Sequence, residues 1–299
     1  MLPVELIPLG IILFFVAIIG IIGNSIMIIA FLKHAKLRSP CHYFIAITCL
    51  ADSLHNYGQI IFTAHLFFDI QTSHFVCTLL NIPTLIGVIS GSCWILAMGI
   101  DRFFACKWPA SYRSLVSYSL YTFLQLVFPF IYTSIFLLFA FLEVDYTPMT
   151  CAIPLAMGSK TFVTWSFSNM ALNAFTMMLY TSVYFLVRKK ETGQKFKAVF
   201  KSIFITATLV IIGWTVTCIS NTFVVLFVLY GKQIVNMYAG IPVNIACASN
   251  IFVFYRINLD YRSGIRKIFP CKTTTVGSIH VHIERNASIT TPGHSPNTN

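Results

Sequence analysis

Charge is what this chain has little of. Of its 299 residues only 10% are Asp, Glu, Lys or Arg, against roughly 25% in an ordinary soluble domain, so a water-soluble globule is excluded. Acidic residues are the scarcest, nine in all, and Asp52 alone lies deep inside a long apolar block. Alternating strand patterns of about ten residues are missing, which excludes a membrane barrel. There is no internal repeat and no charged pore lining, which argues against a transporter or channel. A membrane transporter or channel of unrelated seven-helix type is the alternative to a receptor. Asp52 and His55 stand about one turn apart, short of the three or four ligands a metal site needs. No enzyme activity, metal or cofactor is expected. No basic stretch precedes the first apolar block, and the block far exceeds the roughly 7–15 residues of a signal-peptide core. It is expected to be retained as a first helix.

What fills the chain is apolar sequence, 57% of the total. Residues 6–32 run 27 positions without a charge, where about 20 span a bilayer. Similar blocks follow at 42–68, 75–104, 117–142, 162–187, 198–230 and 234–255. In lipid each backbone must satisfy its own hydrogen bonds, so each block is predicted to be a helix. The fold class is an all-α membrane protein: a seven-transmembrane helix bundle over residues 1–270, then a polar, disordered tail over 271–299. The five residues before the first block are too few for a ligand-binding domain, so the bundle itself is expected to meet any ligand.

The net charge is +11, but its placement argues against nucleic acid as a partner. Of 20 Lys and Arg, only Lys160 and Lys232 fall on loops that share a side with the N-terminus. The positive-inside rule then puts the N-terminus outside the plasma membrane and the C-terminus in the cytoplasm. The basic side faces the anionic inner leaflet, worth about 1 kcal/mol per residue near the surface. Of nine cysteines, Cys77 and Cys151 alone lie on the oxidising side, which predicts one disulfide. It would pin the longest outer loop over the bundle mouth and contribute about 2–4 kcal/mol.

Gly99-Ile100-Asp101-Arg102-Phe103 sets a carboxylate beside a guanidinium at the inner end of an uncharged block. There Arg can snorkel and the two charges can hold each other, although a boundary pair can also simply end a membrane helix. Asp52, inside the second span, is a functional expectation by default, with hydrogen-bonded packing as the plainer reading. Gly23-Asn24 allows close helix approach and an interhelical hydrogen bond. In their order, Asn24, Asp52, Cys77, Arg102 and Cys151 resemble the rhodopsin-like G-protein-coupled receptors. The 99–103 run with Trp108-Pro109 and Tyr112-Arg113, the Ser39-Pro40-Cys41 lead into the second span, and Asp260-Tyr261-Arg262 resemble more narrowly the nematode serpentine chemoreceptor class sx (Srsx). The resemblance covers residues 10–270.

That resemblance implies roles. Asp101 holds Arg102 at rest; activation frees Arg102 toward a heterotrimeric G protein, with Tyr180 as its new partner. Lys201, on a face with Phe200 and Phe204, helps form the docking surface, beyond its plain role as a positive-inside anchor. Asn24, Asp52 and Asn250 form a polar network in the helix core. Trp214 is the mid-helix aromatic switch, without the proline usual two residues later. Ile251 and Phe254 stand where the family has proline and tyrosine. The ligand pocket falls between the third, fifth, sixth and seventh spans, with Thr84, Trp165, Asn169, Asn173, Ile219 and Tyr238 as candidates. Thr84 stands where amine receptors carry aspartate, so a neutral or weakly polar small molecule, or a short peptide, is expected. The pattern at 259–269 puts Tyr261, Ile265, Ile268 and Phe269 on one face and Arg262, Arg266 and Lys267 on another. That suits a short amphipathic eighth helix on the lipid bilayer, with Cys271 beside it as a lipidation candidate.

Overall fold

A computed structural model of the chain describes residues 4–117, 119–189, 193–227 and 237–269. In chain order its helices are α1 (Ile7–Lys33), α2 (Pro40–Phe67), α3 (His74–Leu80), α4 (Ile82–Lys107), α5 (Pro109–Ser117) and α6 (Ser119–Leu142). There follow α7 (Ile153–Ala156), α8 (Ser159–Lys189), α9 (Gln194–Phe227), α10 (Ile241–Ala248), α11 (Asn250–Ile257) and α12 (Leu259–Ile268). Cys271 and the tail lie outside the described residues.

Among the described residues, six stretches are long and apolar enough to cross a membrane; they lie in α1, α4, α6, α8, α9 and Met237–Ile257. The seventh span is α2. It has the length, 28 residues, but is too polar to qualify, because it carries Asp52, His55, Asn56, Gln59 and His65. All five are buried, and α2 packs against both α1 and α4. Its polar side chains therefore meet protein rather than lipid, which is how a membrane helix tolerates them. Gly87 makes the α2–α4 approach possible, since a Cβ there would stand 2.4 Å from the Ala51 carbonyl oxygen. On the other side of the balance, Phe15, Ile22, Phe130, Leu138 and Leu142 are exposed, as lipid-facing positions should be. Buried hydroxyls such as Thr48, Thr63 and Ser90 donate to carbonyls one turn back in their own helices, so they need no water.

Two blocks predicted as single helices are broken. The 75–104 block divides at Asn81, where α3 stops and α4 starts with Pro83 in its first turn. Proline is tolerated there because a first-turn N–H has no intrahelical partner. The Asn81 side chain covers the break by donating to the Cys77 carbonyl at 3.0 Å. The 234–255 block divides at Ser249, between α10 and α11. Pro129, by contrast, sits inside a continuous α6.

At the end of the bundle near Cys77, β1 (Thr72–Ser73) pairs antiparallel with β2 (Pro148–Met149). A disulfide joins Cys77 and Cys151, with Cα atoms 5.3 Å apart. The loop is extended at Pro148 but turns helical at Pro154, in the first turn of α7. Glu143 closes the loop from the other side. It accepts from the Lys160 and Thr161 backbone N–H groups at 2.8 and 2.9 Å and from the Ser159 hydroxyl at 3.2 Å, capping α8. Gly158, at φ +83°, makes room for it: a Cβ there would meet the Glu143 carboxylate at 2.7 Å.

At the opposite end, Asn258 caps α12 by accepting from the N–H groups of Asp260 and Tyr261 at 3.0 and 3.2 Å. Tyr261 and Ile265 are buried, while Arg266 and Lys267 are exposed, the amphipathic helix expected. Phe269 departs from that face. It follows the last helical turn and is exposed.

Candidate functional site

Three sites lie along the bundle. The first is the Arg102 end. Asp101 is fully buried and Arg102 is 8% exposed, so neither charge has water enough to stand alone. Arg102 Nε donates to Asp101 Oδ2 at 2.9 Å, and a terminal nitrogen donates to the same oxygen. The other oxygen, Oδ1, accepts the hydroxyls of Tyr112 at 2.9 Å and Tyr121 at 3.3 Å. The Tyr112 hydroxyl in turn accepts from Arg102 at 3.3 Å. Burial, and then the Asp101 carboxylate, push the Tyr112 phenol well above its ordinary value. Phe196, in the first turn of α9, places its ring over the guanidinium at 5.5 Å. Four elements, α4, α5, α6 and α9, thus converge on one ion pair.

Tyr180 is buried on α8 and its hydroxyl donates to the Ile95 carbonyl at 3.1 Å. Its ring lies near Phe200 and Phe204. It is not brought to Arg102 here. Lys201 is exposed on α9, and among the described residues no hydrogen bond or ion pair links it to Arg102 or Asp101.

The second site is the helix core. Asn250 Nδ2 donates to Asp52 Oδ2 at 2.6 Å and to Asn24 Oδ1 at 2.9 Å. Asn24 Nδ2 donates to the Cys247 carbonyl at 3.1 Å. The break at Ser249 explains that last bond. Among the described residues no backbone N–H across the break bonds the Cys247 carbonyl, although Ile251, four residues on, is not a proline, so that carbonyl is left for a neighbouring helix. Asn24, Asp52 and Asn250 are therefore brought together. His55 is not a partner of Asp52: its Nδ1 stands 3.6 Å from the Cys247 sulfur.

The third site is a small cavity toward the disulfide end, about 70 Å³, that opens to the outside. Its floor is Trp214, which stacks on His55 at 5.6 Å and meets Trp165 edge-on at 5.0 Å. Its walls come from α1 (Leu13), α2 (Gln59, Phe62), α4 (Val88), the Cys151 loop (Ile153) and the last span (Val243, Asn244). None of Thr84, Trp165, Asn169, Asn173, Ile219 and Tyr238 lines it. Thr84, Trp165, Asn169 and Asn173 are buried between helices, and Ile219 is 46% exposed on the outer surface. The Tyr238 hydroxyl donates to the Glu5 carbonyl at 2.7 Å. The cavity is displaced toward α1 and α2 because the Cys151 loop and the bulky Phe162 and Trp165 close the α8 side.

Phe196, Tyr121 and Asn244 were not singled out from the sequence. Asn244 carried a usable signal, an amide deep in an apolar span; Phe196, one more apolar residue beside a basic run, carried none. A family model for the serpentine type 7TM GPCR chemoreceptor Srsx matches residues 17–269. Among curated proteins, none matches. The matched region runs from within α1 to the residue after α12, taking in the ion pair, the polar core and the cavity, and the chain belongs to the Srsx serpentine chemoreceptors, within the seven-transmembrane G-protein-coupled receptors.

Proposed function

We propose that this protein is a plasma-membrane chemoreceptor that detects a small molecule in the cavity and activates a heterotrimeric G protein at the Arg102 end. The disulfide end faces outward and the Arg102 end faces the cytoplasm, in keeping with the distribution of Lys and Arg. Residues 1–270 form the receptor unit and 271–299 its cytoplasmic tail, with Cys271 as a lipid anchor. The observation that carries the reading is the buried Asp101–Arg102 pair capped by Phe196. A charge held under a helix end is a two-state element: moving α9 outward uncovers Arg102 and opens the inner mouth. Tyr180, one helix away, would then receive it, and the exposed Lys201 would meet the G-protein surface. Signal transfer from the cavity runs through the Trp214–His55 stack to Cys247 and the Asn24–Asp52–Asn250 network. The test is nucleotide exchange on co-expressed G proteins in membranes carrying the full chain. Phe196→Ala should raise exchange without any ligand, and adding Arg102→Ala should return it to the level of receptor-free membranes. Exchange that stays at that level for Phe196→Ala across the Gα classes, with receptor present at the surface, would overturn the reading.

A further inference from the structure

The cavity carries chemistry enough to say what it accepts. Among the described residues no lining residue is Asp, Glu, Lys or Arg. An ammonium or carboxylate entering it would shed water without meeting a fixed counter-charge, a cost of several kcal/mol. The apolar walls, Phe62, Val88, Phe162, Trp214 and Val243, suit a hydrocarbon body. Its polar side chains are few: those of His55, Gln59, Thr217 and Asn244. The Thr217 hydroxyl has its proton shared between the carbonyls of Ala239 at 2.8 Å and Gly213 at 3.0 Å. His55 Nδ1 faces the Cys247 sulfur. Asn244 is different. It is buried, its Nδ2 donates to the Gly240 carbonyl at 2.8 Å, and its Oδ1 has no hydrogen-bond partner among the described residues. A buried carbonyl oxygen left unpaired is a penalty that a ligand donor would relieve. Beside the cavity Tyr238 is tied to Glu5, and Thr217 to Ala239.

Resting on the receptor reading above, we infer that the cavity takes a small, uncharged, largely apolar molecule bearing one hydrogen-bond donor, such as an alcohol, and selects it by donation to Asn244 Oδ1. The experiment uses the full chain in lipid nanodiscs and follows its thermal unfolding midpoint against concentration. The probes are matched sets: benzyl alcohol, benzyl methyl ether, benzylamine and benzoate, and the same four groups on an octyl chain. At least one alcohol should raise the midpoint at concentrations roughly two- to tenfold below its ether, the range one buried hydrogen bond provides. Both ions should be weaker than either. Asn244→Leu should abolish the preference for alcohol over ether while ether binding persists. Asn244→Asp should make the amine the strongest member, a gain that a merely misfolded variant could not show. Equal binding of alcohol and ether, an ion as the best probe of the native chain, or no binding by any member would overturn the inference, water then being the occupant of Asn244. Ligand-independent exchange by Phe196→Ala does not involve the cavity, so it separates failure of this inference from failure of the receptor reading.

Discussion

The Phe196 ring lies over the Arg102 guanidinium, 5.5 Å from its carbon to the ring centre. This contact joins α9 to the charge at the end of α4 with no acidic partner on α9. A cation over an aromatic face contributes about 0.5–2 kcal/mol, toward the upper end when desolvated, and Arg102 is nearly buried. If the contact exists only in the closed form, Phe196→Ala should shift the open-to-closed ratio roughly two- to thirtyfold toward open. Basal nucleotide exchange measures this, and Phe196→Tyr, which keeps the ring face, should stay near the native level.

Asp101 has more to lose. Both its oxygens are engaged, by Arg102, Tyr112 and Tyr121. Asp101→Leu would leave a buried guanidinium without a counter-charge, a change of about 3–5 kcal/mol. Surface expression should collapse. Tyr112→Phe removes one donor and costs about 1 kcal/mol, so that receptor should reach the surface with modestly raised basal exchange. Flow cytometry of an N-terminally tagged chain distinguishes the two outcomes.

The helical spans were legible because lipid imposes one rule on every backbone, and length and apolarity suffice to read it. Even α2, too polar for a hydropathy test, was legible as a long block with Asp52 its one Asp, Glu, Lys or Arg. The helix breaks were not. The break at Asn81 had its one sign in Pro83, two residues on, while the break at Ser249 interrupts an apolar run with no such mark and shows only in the bond from Asn24 to the Cys247 carbonyl. The ion pair and the three polar core residues stood out because charge and amides are rare in this chain. The cavity did not: which of many apolar inner faces stays empty depends on how far Phe162 and Trp165 reach, and that is set by packing rather than by residue type.

Glu143 gives a pH-dependent outcome. Burial disfavours its charge, but the Lys160 and Thr161 N–H groups and the Thr161 and Ser159 side chains outweigh that and hold its acid below the ordinary 4.5. A depressed carboxyl contributes stability that is complete above the unfolded value and is lost as pH falls through the lower folded value. Capping at a helix start contributes about 0.5–2 kcal/mol. Glu143→Gln should therefore lower the thermal midpoint at neutral pH, and the gap from the native chain should narrow steadily below about pH 4.5. A gap that is constant with pH would mean that the carboxylate charge contributes nothing.

Gly87 tests the closest helix contact. A Cβ there meets backbone, the Ala51 carbonyl oxygen at 2.4 Å and the His55 nitrogen at 3.0 Å, and backbone cannot rotate away as a side chain can. Gly87→Ala should force α2 and α4 apart at a cost of about 1–3 kcal/mol. Gly91, one turn further on α4, has nothing within 4 Å of its added Cβ. Gly91→Ala should be neutral or slightly stabilising, since alanine is the better helix former by about 1 kcal/mol. Paired thermal midpoints in detergent measure the contrast, and similar losses at both sites would show that the α2–α4 approach is looser than described.

Asn250 is the test of the polar core. Its two amide protons go to two different helices, one to Asp52 on α2 and one to Asn24 on α1, so one side chain holds three spans in register. Asn250→Leu fills the space but strands two buried acceptors, each costing about 1–3 kcal/mol, with the carboxylate at the upper end. Asp52→Asn behaves differently, because an amide oxygen in the place of Oδ2 still accepts from Asn250. The leucine variant should lose most of its surface population, whereas Asp52→Asn should keep it. If the network also carries the signal, the double variant Phe196→Ala with Asp52→Asn should show lower exchange than Phe196→Ala alone at equal surface density. A core that serves packing only would leave those two exchange rates the same, because the uncovered Arg102 end would not depend on what α11 bonds to in the middle of the membrane.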